Sequence, residues 1–91
     1  VLIDVRTPEE YDLGHIPNAL NYDFYSDTFQ SKILNLSKNE SVILYCRTNN
    51  RSNKTAKILK EKGFKEIFVI EGGITEWVKN GNDINYTAYS D

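Results

Sequence analysis

Three short runs of aliphatic and β-branched residues, VLIDV (1–5), SVILY (41–45) and EIFVI (66–70), are separated by segments whose apolar residues recur at helical spacing. Runs this short and this apolar suit strands buried on both faces rather than strands with one wet face. Strands that alternate with helices pair in parallel, because a parallel pair needs a crossover and cannot be closed by a tight turn. The expected architecture is therefore α/β, with helices on both faces of a mainly parallel central sheet: a three-layer α/β/α domain. The 91 residues, 40% hydrophobic and 26% charged, allow one such domain with one self-sufficient core. It is expected over residues 1–81, with 82–91 as a C-terminal tail or the start of a linker.

Local signals place the helices. In TPEEYDLG, Thr7 serves as N-cap, Pro8 as the first helical residue and Glu10 as the partner of Thr7 in a capping box, and Gly14 is a stop. Pro17 biases Ile16 away from helix, so HIPNALNY reads as a turn and a short extended piece. Ser26 or Asp27 can cap a further helix with Phe29, Ile33 and Leu36 on one face, ended by SKNE (37–40). From about Arg51 a longer helix sets Thr55, Ala56 and Leu59 inward and Lys54, Lys57 and Lys60 outward. Gly63 suits the left-handed position after it, with Phe64 falling back onto Leu59. The last helix, in GGITEWVKNG (72–81), carries Ile74, Trp77 and Val78 on one face and stops at Gly81.

The single cysteine, Cys46, directly follows the second run. One cysteine makes no internal disulfide and no cysteine-rich zinc site. In parallel sheets, however, ligands bind beyond the carboxyl ends of the strands, where loops enter helices. Cys46 stands there, at the head of the loop Arg47, Thr48, Asn49, Asn50 and Arg51. A helix N-terminus and two guanidinium groups favour a thiolate, so the Cys46 pKa is expected to be depressed. A free cysteine is equally at home in a core as a small hydrophobe, but a structural cysteine has no need of two nearby arginines, whose charge is costly to bury.

Charge follows the same division. Residues 1–45 sum to −4, residues 46–65 to +6 and residues 66–91 to −4, for the net −2. The positive block starts at Cys46 and reads either as the solvated lysine face of a helix or as an electrostatic collar that draws small anions to a thiol. It is short, flanked by acidic segments and free of interleaved aromatics, which argues against nucleic acid as partner. No run is long and apolar enough to cross a bilayer and no signal-peptide pattern is present, so the segment reads as soluble, the cytoplasm being favoured. The absence of methionine and the opening on an apolar β-run suggest a piece of a longer protein.

Taken together, LIDVRTPEEYDLGHIPNALNY (2–22), VILYCRTNNRS (42–52) and EGGITEWVKNG (71–81) resemble, in order, the signature segments of the rhodanese-like sulfurtransferase domain family, in its single-domain type. The resemblance implies that Cys46 is the nucleophile. Its thiolate attacks the outer sulfur of thiosulfate or of another persulfide and becomes a persulfide, and cyanide, a thiol or a protein acceptor then takes the sulfur. The backbone N–H groups of Arg47 to Arg51 match the loop that curls around the bound sulfur, Arg51 matches the arginine that closes it, and Arg47 is placed to guide an anionic donor. Such exchange between sulfurs calls for no metal or organic cofactor.

Four residues separate Cys46 from Arg51. Phosphatases related to this fold have five, so a small cysteine phosphatase is the lesser enzyme alternative; a docking or regulatory module without turnover is the other alternative. The family often has glycine at the position of Asn49, which is expected to take the positive φ in its place. Glu76 replaces the usual alanine before Trp77 and is expected to face solvent. The family normally begins with a further strand and helix upstream of VLIDV that this sequence lacks, which predicts an exposed sheet edge or poor stability. Asp4 and Arg6 are expected to be structural, orienting loops beneath the site or pairing with acidic side chains such as Glu9, the alternative placing Arg6 near the anion pocket. His15 and Trp77 read as structural.

Overall fold

In the structure of the chain, a computed structural model that describes residues 1–85, all four strands run parallel. The elements follow as β1 (Leu2–Asp4), α1 (Pro8–Asp12), β2 (Leu20–Asn21), α2 (Phe29–Leu34), β3 (Val42–Tyr45), α3 (Asn50–Glu61), β4 (Ile67–Val69) and α4 (Gly73–Lys79). In space the order is β2-β1-β3-β4, with Ile3 beside both Leu20 and Leu44, and Leu44 beside Val69. The two central strands, β1 and β3, are also the more deeply buried. β4 pairs only with β3 among the described residues, and Phe68 is exposed on it.

The two-residue period of the strands divides the core between the sheet's faces. Ile3, Val5, Val42, Leu44 and Cys46 lie in one cluster with Phe29 and Ile33 of α2 and Leu59 of α3. Tyr45 lies in the other with Ile16 and Ala19, backed by Tyr11 of α1 and Trp77 of α4. Tyr45 is fully buried, and its hydroxyl accepts a hydrogen bond from the Ile16 N–H at 3.0 Å. Burial, with Asp4 nearby, pushes its pKa far above the usual phenol range.

Most helix ends form as the local signals require. The Thr7 and Glu10 side chains both complete the capping box of α1. At the end of α3, Gly63 has φ 89°, its N–H donates to the Lys60 carbonyl and the Phe64 N–H to the Leu59 carbonyl, both at 3.1 Å. Phe64 is buried in the cluster that holds Leu59. Two expectations need correction. Helix α2 starts at Phe29 with Thr28 as its N-cap and no side-chain cap, because the Ser26 hydroxyl is spent on the Thr28 N–H in the preceding turn; Leu36 falls beyond the helix, though it still packs on the core. Val78 is 48% exposed rather than on the inner face with Ile74 and Trp77.

Asp4 and Arg6 pair with each other, not with Glu9. The Arg6 guanidinium donates to both Asp4 oxygens at 2.7–3.1 Å, the Arg6 backbone N–H also reaches Asp4 Oδ1, and Nη2 donates to the Gly14 carbonyl at 2.6 Å. The pair thereby ties the end of β1 to the turn that closes α1. Both residues are buried, so each needs the other's charge. His15 is structural as well: its ring stacks on Tyr11 with centroids 3.7 Å apart, and its backbone pairs with Asn85. No helix among the described residues is long and apolar enough to cross a membrane.

Because Leu44 is fully buried at the middle of the sheet, we expect Leu44→Ala to cost about 2–5 kcal/mol. Urea denaturation followed by circular dichroism checks it; a loss below about 1 kcal/mol would show that the core is not centred on β3.

Candidate active site

The carboxyl ends of β1 and β3 open on the same edge of the sheet, where the chain turns into α1 and α3. Cys46 leaves β3 there with 1% of its surface exposed. Its Sγ lies 3.4 Å from both the backbone N and the Oγ of Ser52, in the first turn of α3. The Ser52 hydroxyl also reaches the Asn49 carbonyl, 3.1 Å away. The start of α3 thus presents the Ser52 N–H to the sulfur, while the Ser52 hydroxyl proton is directed to the Asn49 carbonyl.

The loop between Cys46 and α3 is turned by its carbonyls. The Ile74 N–H donates to the Cys46 carbonyl at 3.0 Å; the Thr75 N–H and hydroxyl donate to the Arg47 carbonyl at 3.2 and 2.8 Å. With every peptide trans, the following N–H groups point the opposite way, toward the inside of the loop. None of the N–H groups of Arg47, Thr48, Asn49, Asn50 and Arg51 has a protein acceptor among the described residues. Close approach makes this possible: Gly73 has φ 60°, and a Cβ there would lie 2.4 Å from the Cys46 carbonyl oxygen and 2.5 Å from that of Thr48.

Asn49 does not take the positive φ expected of it. Its φ is −135°, and its Oδ1 accepts from the Gly72 N–H at 3.0 Å. The side chain is used as a strut between the loop and the turn into α4, and does not line the cavity. Glu76 is half-buried against Gly72 rather than pointing freely to solvent.

Above the sulfur is a cavity of about 390 Å3 lined by Cys46, Arg47, Thr48, Asn50 and Arg51 of the loop, with Thr7, Glu10 and Tyr25 opposite. Arg51 bridges it, donating to Glu10 Oε1 at 2.6 Å and Oε2 at 3.0 Å. Its guanidinium also lies 5.8 Å from the centre of the Tyr25 ring. Asp4 and Arg6 take no part in this lining; Arg6 opens instead on a neighbouring groove. Among the described residues, no three His, Cys, Asp or Glu side chains gather as metal ligands do.

Residues 1–80 match the family described as Rhodanese-like domain. The chain belongs to that family. Solved structures similar to it include a rhodanese-related protein from Thermoplasma volcanium, 28% identical with a TM-score of 0.82 over 92% of this chain and 81% of that one. A rhodanese-like domain protein from Staphylococcus aureus is 31% identical, with a TM-score of 0.79 over 96% and 80%. Among curated relatives, a protein named tRNA uridine(34) hydroxylase from Escherichia coli O6:K15:H31 is 32% identical over 91% of this chain. The one of the same name from Hamiltonella defensa is 34% identical over 87%. The chain spans about a quarter of the length of these curated relatives, 25% and 23% respectively.

In this rhodanese-like domain the sequence placed Cys46 and its loop but not the groups around them. Ser52 adjoins Arg51 and, once α3 is seen to begin at Asn50, falls on the turn that faces the sulfur; that offset was the available signal. Glu10 read only as a capping residue, and nothing local connects it with Arg51, 41 positions away. Tyr25 carried no signal.

The bond to Arg51 holds the Glu10 carboxyl down to about 2, with burial opposing the shift and the Thr7 N–H adding to it. The same bond raises Arg51 above its ordinary value, again against burial. A lowered carboxyl pKa stabilises the fold fully above the ordinary 4.5, and this contribution is lost as pH falls toward about 2. We expect Glu10→Gln to lower the urea midpoint at about pH 7, and its difference from wild type to close progressively between about pH 5 and pH 2. A difference that stays constant over that range would mean that the Arg51 bond contributes nothing to stability.

Proposed function

We propose that Cys46 carries sulfane sulfur as a persulfide, taking it from thiosulfate or a persulfide donor and passing it to cyanide or a thiol. The observation that carries this reading is that the N–H groups of Arg47, Thr48, Asn50 and Arg51, residues that line the cavity with Cys46, have no protein acceptor among the described residues, while the thiol already receives the Ser52 N–H. Unpartnered donors of this kind suit a negatively charged outer sulfur. In the first step the Cys46 thiolate forms a bond to the outer sulfur of thiosulfate, the bond to the sulfonate sulfur breaks, and sulfite leaves with the electron pair. In the second, a nucleophile takes the outer sulfur and the Cys46 Sγ–S bond returns its pair to the thiolate. Neither step needs a net oxidant. Arg47, exposed at the rim, supplies charge for the incoming anion, while Arg51 is committed to Glu10 and shapes the wall.

Intact mass after incubation with thiosulfate tests it. Wild type should gain one sulfur atom and lose it to cyanide, and Cys46→Ser should gain none. Folded wild type that gains nothing would sink the reading for this donor and move the phosphatase and docking alternatives forward.

A second reading rests on the relatives' name: the domain serves as one part of a larger enzyme acting on uridine 34 of tRNA. It is favoured by identities of 30–34% over most of this chain to proteins so named. Nucleoside mass spectrometry of tRNA from cells carrying the full-length protein, wild type or Cys46→Ser, checks it. On this reading the hydroxylated uridine falls in the variant; an unchanged level would detach Cys46 from that reaction.

A further inference from the structure

Beside the Cys46 cavity, between α1 and α4, runs a groove of about 420 Å3 whose apolar wall is formed by Leu13, Ile74, Val78 and Ile84. Glu10 and Arg47 border both spaces, so the groove adjoins the cavity. The wall is also tied to the nucleophile: Ile74 donates its N–H to the carbonyl of Cys46 itself, and Thr75 donates to that of Arg47. Leu13 is 75% exposed and Val78 48%, although α4 has an inner face available and Trp77 uses it. Cyanide and thiosulfate fill the polar cavity and have no apolar surface to bring to these residues. The groove's complement is a group that carries apolar surface and a reactive thiol together.

Leu13 stands out from the wall rather than enclosing a cavity, which suits a surface against a surface more than a small molecule in a slot. Arg47, positively charged where the two spaces meet, favours an incoming thiolate. We propose that the groove docks the segment of a sulfur-accepting protein that bears the acceptor cysteine, with apolar side chains of that segment resting on Leu13 and Val78 while the cysteine passes Arg47 to reach Cys46. This rests on the persulfide reading of Cys46. In the transfer the acceptor thiolate forms a bond to the outer sulfur, the Sγ–S bond of Cys46 breaks, and Cys46 regains its thiolate, so one persulfide replaces another.

The test uses the persulfide-loaded protein and short synthetic peptides with one cysteine, flanked by leucine in one and by serine in the other. Burying one leucine side chain is worth enough for roughly a tenfold difference in kcat/KM. The leucine-flanked peptide should be the better acceptor by that factor, and Leu13→Gln with Val78→Gln should abolish the preference while leaving discharge by cyanide unchanged. Equal rates for the two peptides, or a preference that survives the double variant, overturns the proposal. So does an enhancement seen with 8-mercaptooctanoate and not with the peptides, which would assign the groove to a small thiol. If cyanide discharges nothing, the persulfide reading fails by itself, and binding of the same peptides with cysteine replaced by serine, followed by NMR on the unloaded protein, reads the groove alone. Tighter binding of the leucine-flanked peptide, with shifts at Leu13 and Val78, then supports the docking surface, and its absence overturns it.

Discussion

The three bonds by which the start of α4 holds the carbonyls of Cys46 and Arg47 fix the whole arrangement. A short loop between a strand and a helix has carbonyls and N–H groups in equal number, and either set can face inward. Pinning the carbonyls on the outside leaves the donors inside. That pinning requires backbone to meet backbone at a distance no side chain tolerates, which is why Gly73 stands at the crossing. It also requires β3 and β4 to be neighbours, so that the segment after β4 arrives beside the loop that follows β3. The sheet order and the sulfur's surroundings are one problem with one solution.

Those parts of the fold that depend on neighbouring residues were legible in the sequence. The capping box at Thr7 and the left-handed Gly63 with Phe64 against Leu59 are satisfied within a few positions, so tertiary structure had little to override. The start of α2 was misjudged because Ser26 has two backbone uses open to it, and the turn before the helix took the one that a cap would have needed. Val78 shows the limit of periodicity: helical spacing says which residues share a face, but not where that face stops being covered.

The site divides in the same way. Cys46 and its loop follow from a strand end, a cysteine and two arginines in sequence, a pattern strong enough to stand with its family resemblance. The partners of that loop come from elsewhere in the chain. Asn49 looked like a substitute for glycine and instead spends its side chain on Gly72, an option that only the presence of α4 creates. Glu10 meets Arg51 because β1 lies next to β3, and no spacing along the chain records that.

The bidentate pair of Arg51 with Glu10 has an electrical consequence. A wall built from a matched cation and anion has almost no monopole, and Arg47 is left as the only uncompensated charge among the cavity's lining residues. The field of one charge is screened within about 8–10 Å at physiological ionic strength, and that of N–H dipoles falls off faster with distance than a charge does. Whatever charge the cavity lining offers an anion therefore comes from Arg47 at the rim and not from Arg51 in the wall.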